Sequence, residues 1–466
     1  MLTYDLNAEK GPLYAALAQY IKEDITAGNL HAGERLPSKR TLARNNGVST
    51  ITVQNAYDQL VSEGYVVTEE RRGYFVAEIH ALPPVTGQRT GITGTWDTPV
   101  KPSSVFDFSA NHTDTGYFPF SIWARLTREM LTARREELLV PSPCGGVQEL
   151  RAAIAGHLAS FRGMAVDPAQ ILVGAGTEYL YGLLIQLLGR NHVYGIENPG
   201  YRKLLQIYRH QGVPCVWAGM DAQGIRVDAL KAVGAEIAHI CPNHHFPTGI
   251  TMPISRRYEL LAWANQDPAR YIIEDDYDSE FRVQGRPLPT LQSIDASGRV
   301  IYMNTFSKSL ASTIRISYMV LPPKLAERFY RELSFYACTV PVLEQYTLAA
   351  FIERGFFERH INRMRRHYGR KREQVLAIIH DVLPRELCHV RENDSGLHFL
   401  LQLATDMPDA VIQRRLATQG IRLRSVRDYS LDAHAEDRHE FLLNYSSLDT
   451  EKLPAALQAL KQVMQM

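Results

Sequence analysis

The sequence predicts a large α/β domain with a mostly parallel sheet, preceded by a small N-terminal module of three helices and a two-stranded wing. Two patterns carry the large domain. From Val105 onward, apolar strand-like runs alternate with amphipathic helical stretches. Some of these runs also end in glycines, hydroxyls or carboxylates, where α/β folds place ligands. The module shows as short helical periods over residues 1–78. Residues 79–105 contain Pro83, Pro84, Gly87, Gly91, Gly94, Pro99 and Pro102 with no sustained apolar period, and read as a linker. The expected organisation is therefore 1–78, linker 79–105, and 106–466.

In the module, Pro12 opens a helix carrying Leu13, Leu17, Ile21 and Ile25 on one stripe. Ser38 caps a second helix that ends at Asn45, Asn46 and Gly47, and Ser49 caps a third bearing Ile51, Val53, Ala56, Tyr57 and Leu60. Gly64 stops that helix before strands at 65–68 and 74–77, joined by Glu69, Glu70, Arg71, Arg72 and Gly73. This order is a winged helix-turn-helix plan, whose second paired helix fits the major groove while cations meet phosphate. The module holds eight Lys/Arg against ten Asp/Glu, but its positives cluster at Arg35, Lys39, Arg40 and Arg44 and at Arg71 and Arg72.

The stretch "LPSKRTLARNNGVSTITVQNAYDQLVSEGYV" resembles the GntR-type winged helix, as does "PLYAALAQYIKEDITAGNLHAGERLPS" upstream of it. The resemblance implies binding of a double-stranded DNA operator through Arg35, Ser38, Lys39, Arg40, Ser49, Thr50, Thr52, Gln54, Arg71, Arg72 and Gly73. Many relatives carry Arg where this chain has Thr50 and a basic residue where it has Gln54. Base contacts are therefore expected from Thr50, Thr52, Gln54 and Asn55, and phosphate contacts from Arg35, Lys39, Arg40 and the wing arginines.

Four islands in the large domain carry chemistry. In "ILVGAGTEYLYGLL" a strand over 171–173 runs through Gly174, Ala175, Gly176 and Thr177 into a helix, where small residues let amides approach an anion. In "YIIEDDYDSEF" a buried strand over 271–273 delivers Glu274, Asp275, Asp276 and Tyr277. No histidine stands at ligand spacing, so no metal site is expected. In "IYMNTFSKSLASTIRISYMV" a strand over 300–303 precedes Thr305, Ser307 and Lys308, with Arg315 seven residues on. A lysine there, with an arginine near and carboxylates upstream, suits a Schiff base with a phosphorylated aldehyde. The fourth island, "CPNHHFPTG", supplies a rigid turn near the same sheet edge.

Together these islands resemble fold-type I, aminotransferase-like domains that bind pyridoxal 5'-phosphate, and the whole chain resembles the MocR/GabR family of transcription regulators. The resemblance implies Lys308 as the Schiff-base lysine, Asp275 at the pyridine nitrogen, Tyr277 at the ring hydroxyl and Tyr201 stacked on the ring. Ala175, Gly176, Thr177, Thr305, Ser307 and Arg315 would hold the phosphate. Glu274 and Asp276 read as structural, and His244 and His245 as satisfied loop histidines. The resemblance also implies a homodimer, with heads that can be exchanged between subunits.

Two departures bear on catalysis. Leu442 stands where aminotransferases carry a carboxylate-binding arginine, and Phe246 replaces the usual asparagine. Arg422, Arg424 and Arg427 are alternative anchors nearby in sequence. Three readings follow: a regulator that senses pyridoxal phosphate or an amino compound, an active aminotransferase with an auxiliary head, and a DNA-binding scaffold with an empty site. The retained lysine and its partners argue against the third, and the intact module argues against the second.

Composition agrees with a soluble regulator. The 466 residues are 45% hydrophobic and 22% charged, ordinary values that exclude whole-chain disorder, collagen and coiled coil. The longest nearly uncharged apolar stretch, 179–189, is too short to span a bilayer. Five scattered cysteines without a CxxC pair and the lack of a basic-then-apolar leader lead us to expect a cytoplasmic protein with no membrane partner. With 51 basic and 50 acidic residues the net charge is +1, so any polyanion binding has to come from local placement.

Overall fold

The computed structural model describes residues 2–6, 11–79, 106–282, 288–392, 396–430 and 437–465. The chain divides into two units between Lys101 and Pro102. The expected linker lies outside the described residues except for Ile79.

In the N-terminal unit, α1 (Leu13–Thr26), α2 (Lys39–Asn46) and α3 (Thr50–Ser62) pack around Leu17, Ile21, Leu42, Val53, Ala56, Tyr57 and Leu60. The Ser38 hydroxyl accepts from the Thr41 amide and that of Ser49 from the Thr52 amide, satisfying first-turn donors. Gly47 ends α2 at φ 62°, a left-handed position suited to glycine. Two expected core residues are not in the core: Leu13 is exposed, and Ile51 is 71% exposed. Ile51 lies about 200° around the helix from Val53, at roughly 100° per residue, and so faces away from the core. The wing is β1 (Val66–Glu69) and β2 (Gly73–Val76), antiparallel with Val66 opposite Val76. Both strands are shifted one residue from expectation, because the turn passes through Arg71 at φ 62° and Gly73 at φ 116°.

In the large unit, β3 (Phe106–Asp107) is followed by β4 (Ile171–Gly174), β5 (Tyr194–Asn198), β6 (Cys215–Asp221), β7 (Gly224–Ile225), β8 (Ile237–Ile240), β9 (Tyr271–Asp275), β10 (Val300–Thr305) and β11 (Ser317–Val320). The main sheet has the order β4-β11-β10-β9-β8-β5-β6-β7. Its centre, β10-β9-β8-β5-β6, is parallel; β11 and β7 run antiparallel to it, and β4, paired antiparallel with β11, runs with the centre. Ile273, Ile301 and Met303 enter one apolar cluster with helix Thr177–Leu188, while Ile272 and Val300 enter another with helix Ile254–Asn265. Burial on both faces explains why these strands read as continuous apolar runs.

The sequence did not lead us to expect a second sheet. Here β12 (Cys388–Arg391), β13 (His398–Leu403), β15 (Arg424–Ser425) and β16 (Glu440–Asn444) form an antiparallel sheet ordered β12-β13-β16-β15, and β14 (Ile421–Arg422) pairs with β3.

The carboxylates flanking Asp275 are structural. Asp276 pairs with Arg162 and accepts from Asn243 (2.6 Å) and the Tyr302 hydroxyl (2.7 Å). Glu274 accepts from the amides of Leu291 (2.9 Å) and Gln292 (3.0 Å). Breaking a buried pair leaves an uncompensated charge, so Arg162→Met should destabilise the protein by about 3–5 kcal/mol. Adding Asp276→Asn should recover part of that loss, measured as the shift in denaturant midpoint.

Candidate functional site

Strands β9 and β10 end side by side, with Met303 opposite Asp275. Their carboxyl ends open into a cavity of about 260 Å³ lined by Thr177, Tyr181, Glu197, Tyr201, His239, Cys241, His245, Phe246, Asp275, Tyr277, Thr305, Ser307, Lys308 and Arg315, among others. Eight of the ten residues expected to hold a cofactor are either on its wall or at its edge: Lys308, Asp275, Tyr277, Tyr201, Thr177, Thr305, Ser307 and Arg315. Ala175 and Gly176 form the turn before Thr177. The Ala175 amide donates to Thr339 Oγ1 at 2.9 Å.

Lys308 follows β10 in the short helix Phe306–Ser309, and its Nζ donates to the Asn111 carbonyl at 2.9 Å. Burial lowers its pKa to about 8, against a smaller opposing pull from the Asp278 carboxylate. In the same cavity, Asp275 Oδ2 accepts from the Tyr181 hydroxyl at 2.8 Å, while its buried Oδ1 has no hydrogen-bond partner among the described residues. His239 Nε2 lies 3.6 Å from Oδ2, and its Nδ1 meets the Tyr208 hydroxyl at 2.7 Å.

Tyr277 reaches His244 Nδ1 (3.3 Å), which is also 2.8 Å from Asp278 Oδ2. If Nδ1–H donates to that carboxylate, it leaves the Tyr277 hydroxyl proton for the cavity. His245, expected to be satisfied within its loop, instead lines the cavity. Its Nδ1 meets Thr248 Oγ1, but Nε2 is buried without a hydrogen-bond partner, 3.5 Å from Glu197 Oε2. Burial raises the Glu197 pKa to about 8 and lowers that of His245 to about 3, so both are predominantly uncharged at neutral pH.

At the other end, Thr177 begins helix Thr177–Leu188 after Gly176 at φ 94°. A Cβ at Gly176 would collide with the Arg315 guanidinium, which lies 3.9 Å from Glu178. Thr177, Ser307 and Arg315 thus surround a helix N-terminus suited to an anion. The Thr305 hydroxyl is largely committed: it accepts from Ser317 Oγ (2.8 Å) and the Ser307 amide (3.1 Å).

The two departures from the aminotransferase pattern meet in space. Leu442 is buried in an apolar cluster with Leu400 and Val426, against which Phe246 and Tyr429 pack. Of the alternative arginines, Arg427 pairs with Asp437 (2.5 Å) and Arg422 with Asp107 (3.3 Å). Arg424 sits opposite Leu442 on β15 and lines a separate open cleft with Tyr201 and Tyr429.

Asn111, Tyr181, Glu197 and His239 were not singled out from the sequence. Tyr181 lies one helical turn after Thr177 and Glu197 four residues before Tyr201, so both had a readable signal. Asn111 acts through its carbonyl, which leaves no trace in residue type.

On the N-terminal unit, Arg35, Ser38, Arg40, Ser49, Thr50, Asn55, Arg71 and Arg72 are exposed, and Lys39, Thr52, Gln54 and Gly73 are half-buried. Gln54 is not free to face bases: its Oε1 accepts from Lys39 Nζ, and its Nε2 donates to Asp58 (2.5 Å) and contacts the Tyr74 hydroxyl (3.4 Å). Arg72 pairs with Glu69.

Residues 13–76 match the family "Bacterial regulatory proteins, gntR family", and 103–460 match "Aminotransferase class I and II". The HTH-type transcriptional regulator YdeL of Bacillus subtilis is 37% identical over 89% of this chain and 89% of its own length. The probable rhizopine catabolism regulatory protein MocR of Rhizobium meliloti is 31% identical over 99% and 95%. Kynurenine aminotransferase from Pyrococcus horikoshii superposes with a TM-score of 0.68 at 22% identity, covering 78% of this chain and 91% of that one. That likeness gives the fold of the large unit.

The lowered Lys308 pKa has a testable sign. Between pH 8 and 10.5 the unfolded chain keeps a proton that the folded chain has released, so stability rises with pH across that window. Acylation of Lys308 by an amine-selective reagent, followed by peptide mass spectrometry, should be half-maximal near pH 8; a midpoint near the ordinary lysine value would contradict the buried environment.

Proposed function

The chain belongs to the HTH-type transcriptional regulators of the MocR type, which join a gntR-family DNA-binding head to an aminotransferase class I and II domain, and on that premise we propose that its large unit binds pyridoxal 5'-phosphate and senses an amino compound. The observation that carries this is Lys308, a buried amine with a lowered pKa, in one cavity with a carboxylate oxygen of Asp275 that has no hydrogen-bond partner among the described residues. A protonated ring nitrogen would satisfy that oxygen.

When bound, the cofactor supplies an aldehyde that takes up amines and a ring that draws electrons. Asp275, oriented by Tyr181, would hold a proton at the ring nitrogen, because a buried anion favours the cationic form. Tyr277 would donate to the ring hydroxyl, and Tyr201, half exposed at the cavity rim, would cover the ring. Thr177, Ser307 and Arg315, with the Gly176 turn, would hold the phosphate. Glu197 and His245, in which burial favours the neutral form, would leave the ring nitrogen to Asp275. Phe246 lines the cavity and Leu442 lies behind it, so neither of these two positions can clamp an α-carboxylate. Orientation of that group is worth several kcal/mol of barrier lowering, which favours sensing over turnover.

A homodimer acting on DNA in the cytoplasm completes the proposal. Phe120, Leu139, Val140 and Phe335 are large apolar residues left 60–87% exposed, a surface that a second copy would cover. Two heads on one dimer would read paired half-sites. A ligand shifts DNA affinity only as far as it binds two states unequally.

Borohydride treatment of the protein with pyridoxal 5'-phosphate should leave a pyridoxyl group on Lys308 by mass spectrometry; no adduct there would refute cofactor binding. Lys308→Ala should bind DNA within a few-fold of wild type yet lose any response to amines in a gel-shift titration. Accumulation of keto product during an amine panel would move the reading to an active aminotransferase.

A further inference from the structure

Helix Phe356–Val382 in the large unit exposes Arg359, Arg363, Arg366 and Arg370. At roughly 100° per residue these four fall within about 60° of arc, opposite the buried residues Phe357, Ile361, Met364 and Tyr368. The row is about 16 Å long, with neighbours about one turn apart.

Among the described residues none of the four pairs with a carboxylate. Arg359 donates to the Arg354 carbonyl (3.1 Å) and lies over the Phe356 ring (4.6 Å). Arg363 donates to the Tyr117 carbonyl (2.8 Å) and contacts His360 (3.2 Å). Arg366 and Arg370 donate to the carbonyls of Asn362 and Arg366, each at 3.3 Å. Nearby arginines are neutralised: Arg354 by Glu129 and Arg372 by Glu392. Glu358 and Glu373 on the same helix, and Asp114, which meets His367 at 3.2 Å, form no ion pair with any of the four.

Like charges one turn apart repel, and no carboxylate among the described residues pairs with the row to offset this. An ordered row of negative charge would. The head itself carries eight basic against ten acidic residues, and Lys39 and Arg72 among its cations are already engaged. Phosphate contacts supply most non-specific DNA affinity, and the row would add four cations to the four exposed ones that the head keeps, Arg35, Arg40, Arg44 and Arg71.

We propose that the arginine row is a second DNA-contacting surface, gripping phosphates outside the half-sites that the heads read. This rests on DNA binding by the heads. It assigns the large unit a direct part in affinity, independent of any cofactor.

The test uses full-length protein and a duplex selected by it from a random pool, prepared as a short form spanning only the half-sites and as a longer form with flanking DNA. Wild type should bind the longer form more tightly. The fourfold variant R359Q/R363Q/R366Q/R370Q should lose that gain, about tenfold or more at low salt. Its slope of log affinity against log salt on the longer form should fall by about 3–4, at roughly 0.9 per phosphate. The fourfold Arg→Lys variant should keep most of the gain, since phosphate needs charge more than a fork. Unchanged thermal unfolding would exclude a folding defect. A glutamine variant that matches wild type on the longer duplex overturns the proposal. So does one that sediments as monomers where wild type is dimeric, which would make the row a subunit contact. Wild type that selects no duplex would refute DNA binding by the heads, and this inference with it.

Discussion

The buried pair of Arg162 and Asp276 orients the centre of the large unit. Successive side chains at a strand end point to opposite sides. Asp276 is held by Arg162, Asn243 and Tyr302, so Asp275 is turned into the cavity. Asn243 also begins the loop that carries His244, His245 and Phe246, so one carboxylate ties that loop to the end of β9. A buried ion pair often contributes no more stability than packed apolar residues would. Its value here is direction: it aims one acid by fixing its neighbour.

The cavity brings unlike charges together. Its lining includes Arg315 near a helix N-terminus, the Asp275 carboxylate and Lys308, whose proton affinity is lowered. Glu197 and His245 add no charge, since burial favours the neutral form of each. At Phe246 the wall is apolar, with Leu442 in the cluster behind it.

In the N-terminal unit, Lys39, Gln54, Asp58 and Tyr74 tie the second helix, the third helix and the wing into one network. The network stiffens the reading surface while withdrawing two polar side chains from it. Thr50, Asn55 and the exposed Ile51 are left at the front of the third helix. Four exposed arginines without a carboxylate partner among the described residues stand on a helix of the large unit, so charge totals by domain are a poor guide to where positive charge gathers.

Much of this was legible in the linear sequence, for identifiable reasons. Ser38 and Ser49 announce helix starts because a hydroxyl satisfying a first-turn amide is a local event. Apolar runs ending in Asp275 or Lys308 announce ligand-bearing strand ends because sheet burial imposes continuous hydrophobicity. Side-chain partnerships across the fold could not be read this way. Nothing near Gln54 in sequence says that Lys39 will hold it, and nothing near His245 says that Glu197 will lie beside it. The antiparallel sheet of β12, β13, β15 and β16 escaped notice because its strands are short and far apart along the chain. Caps, turns and apolar runs sufficed for the two-part plan and for placing Lys308 and Asp275 at neighbouring strand ends. The tertiary structure alone decided which polar groups are already spoken for, because hydrogen-bond partners many residues apart are chosen by packing and not by order along the chain.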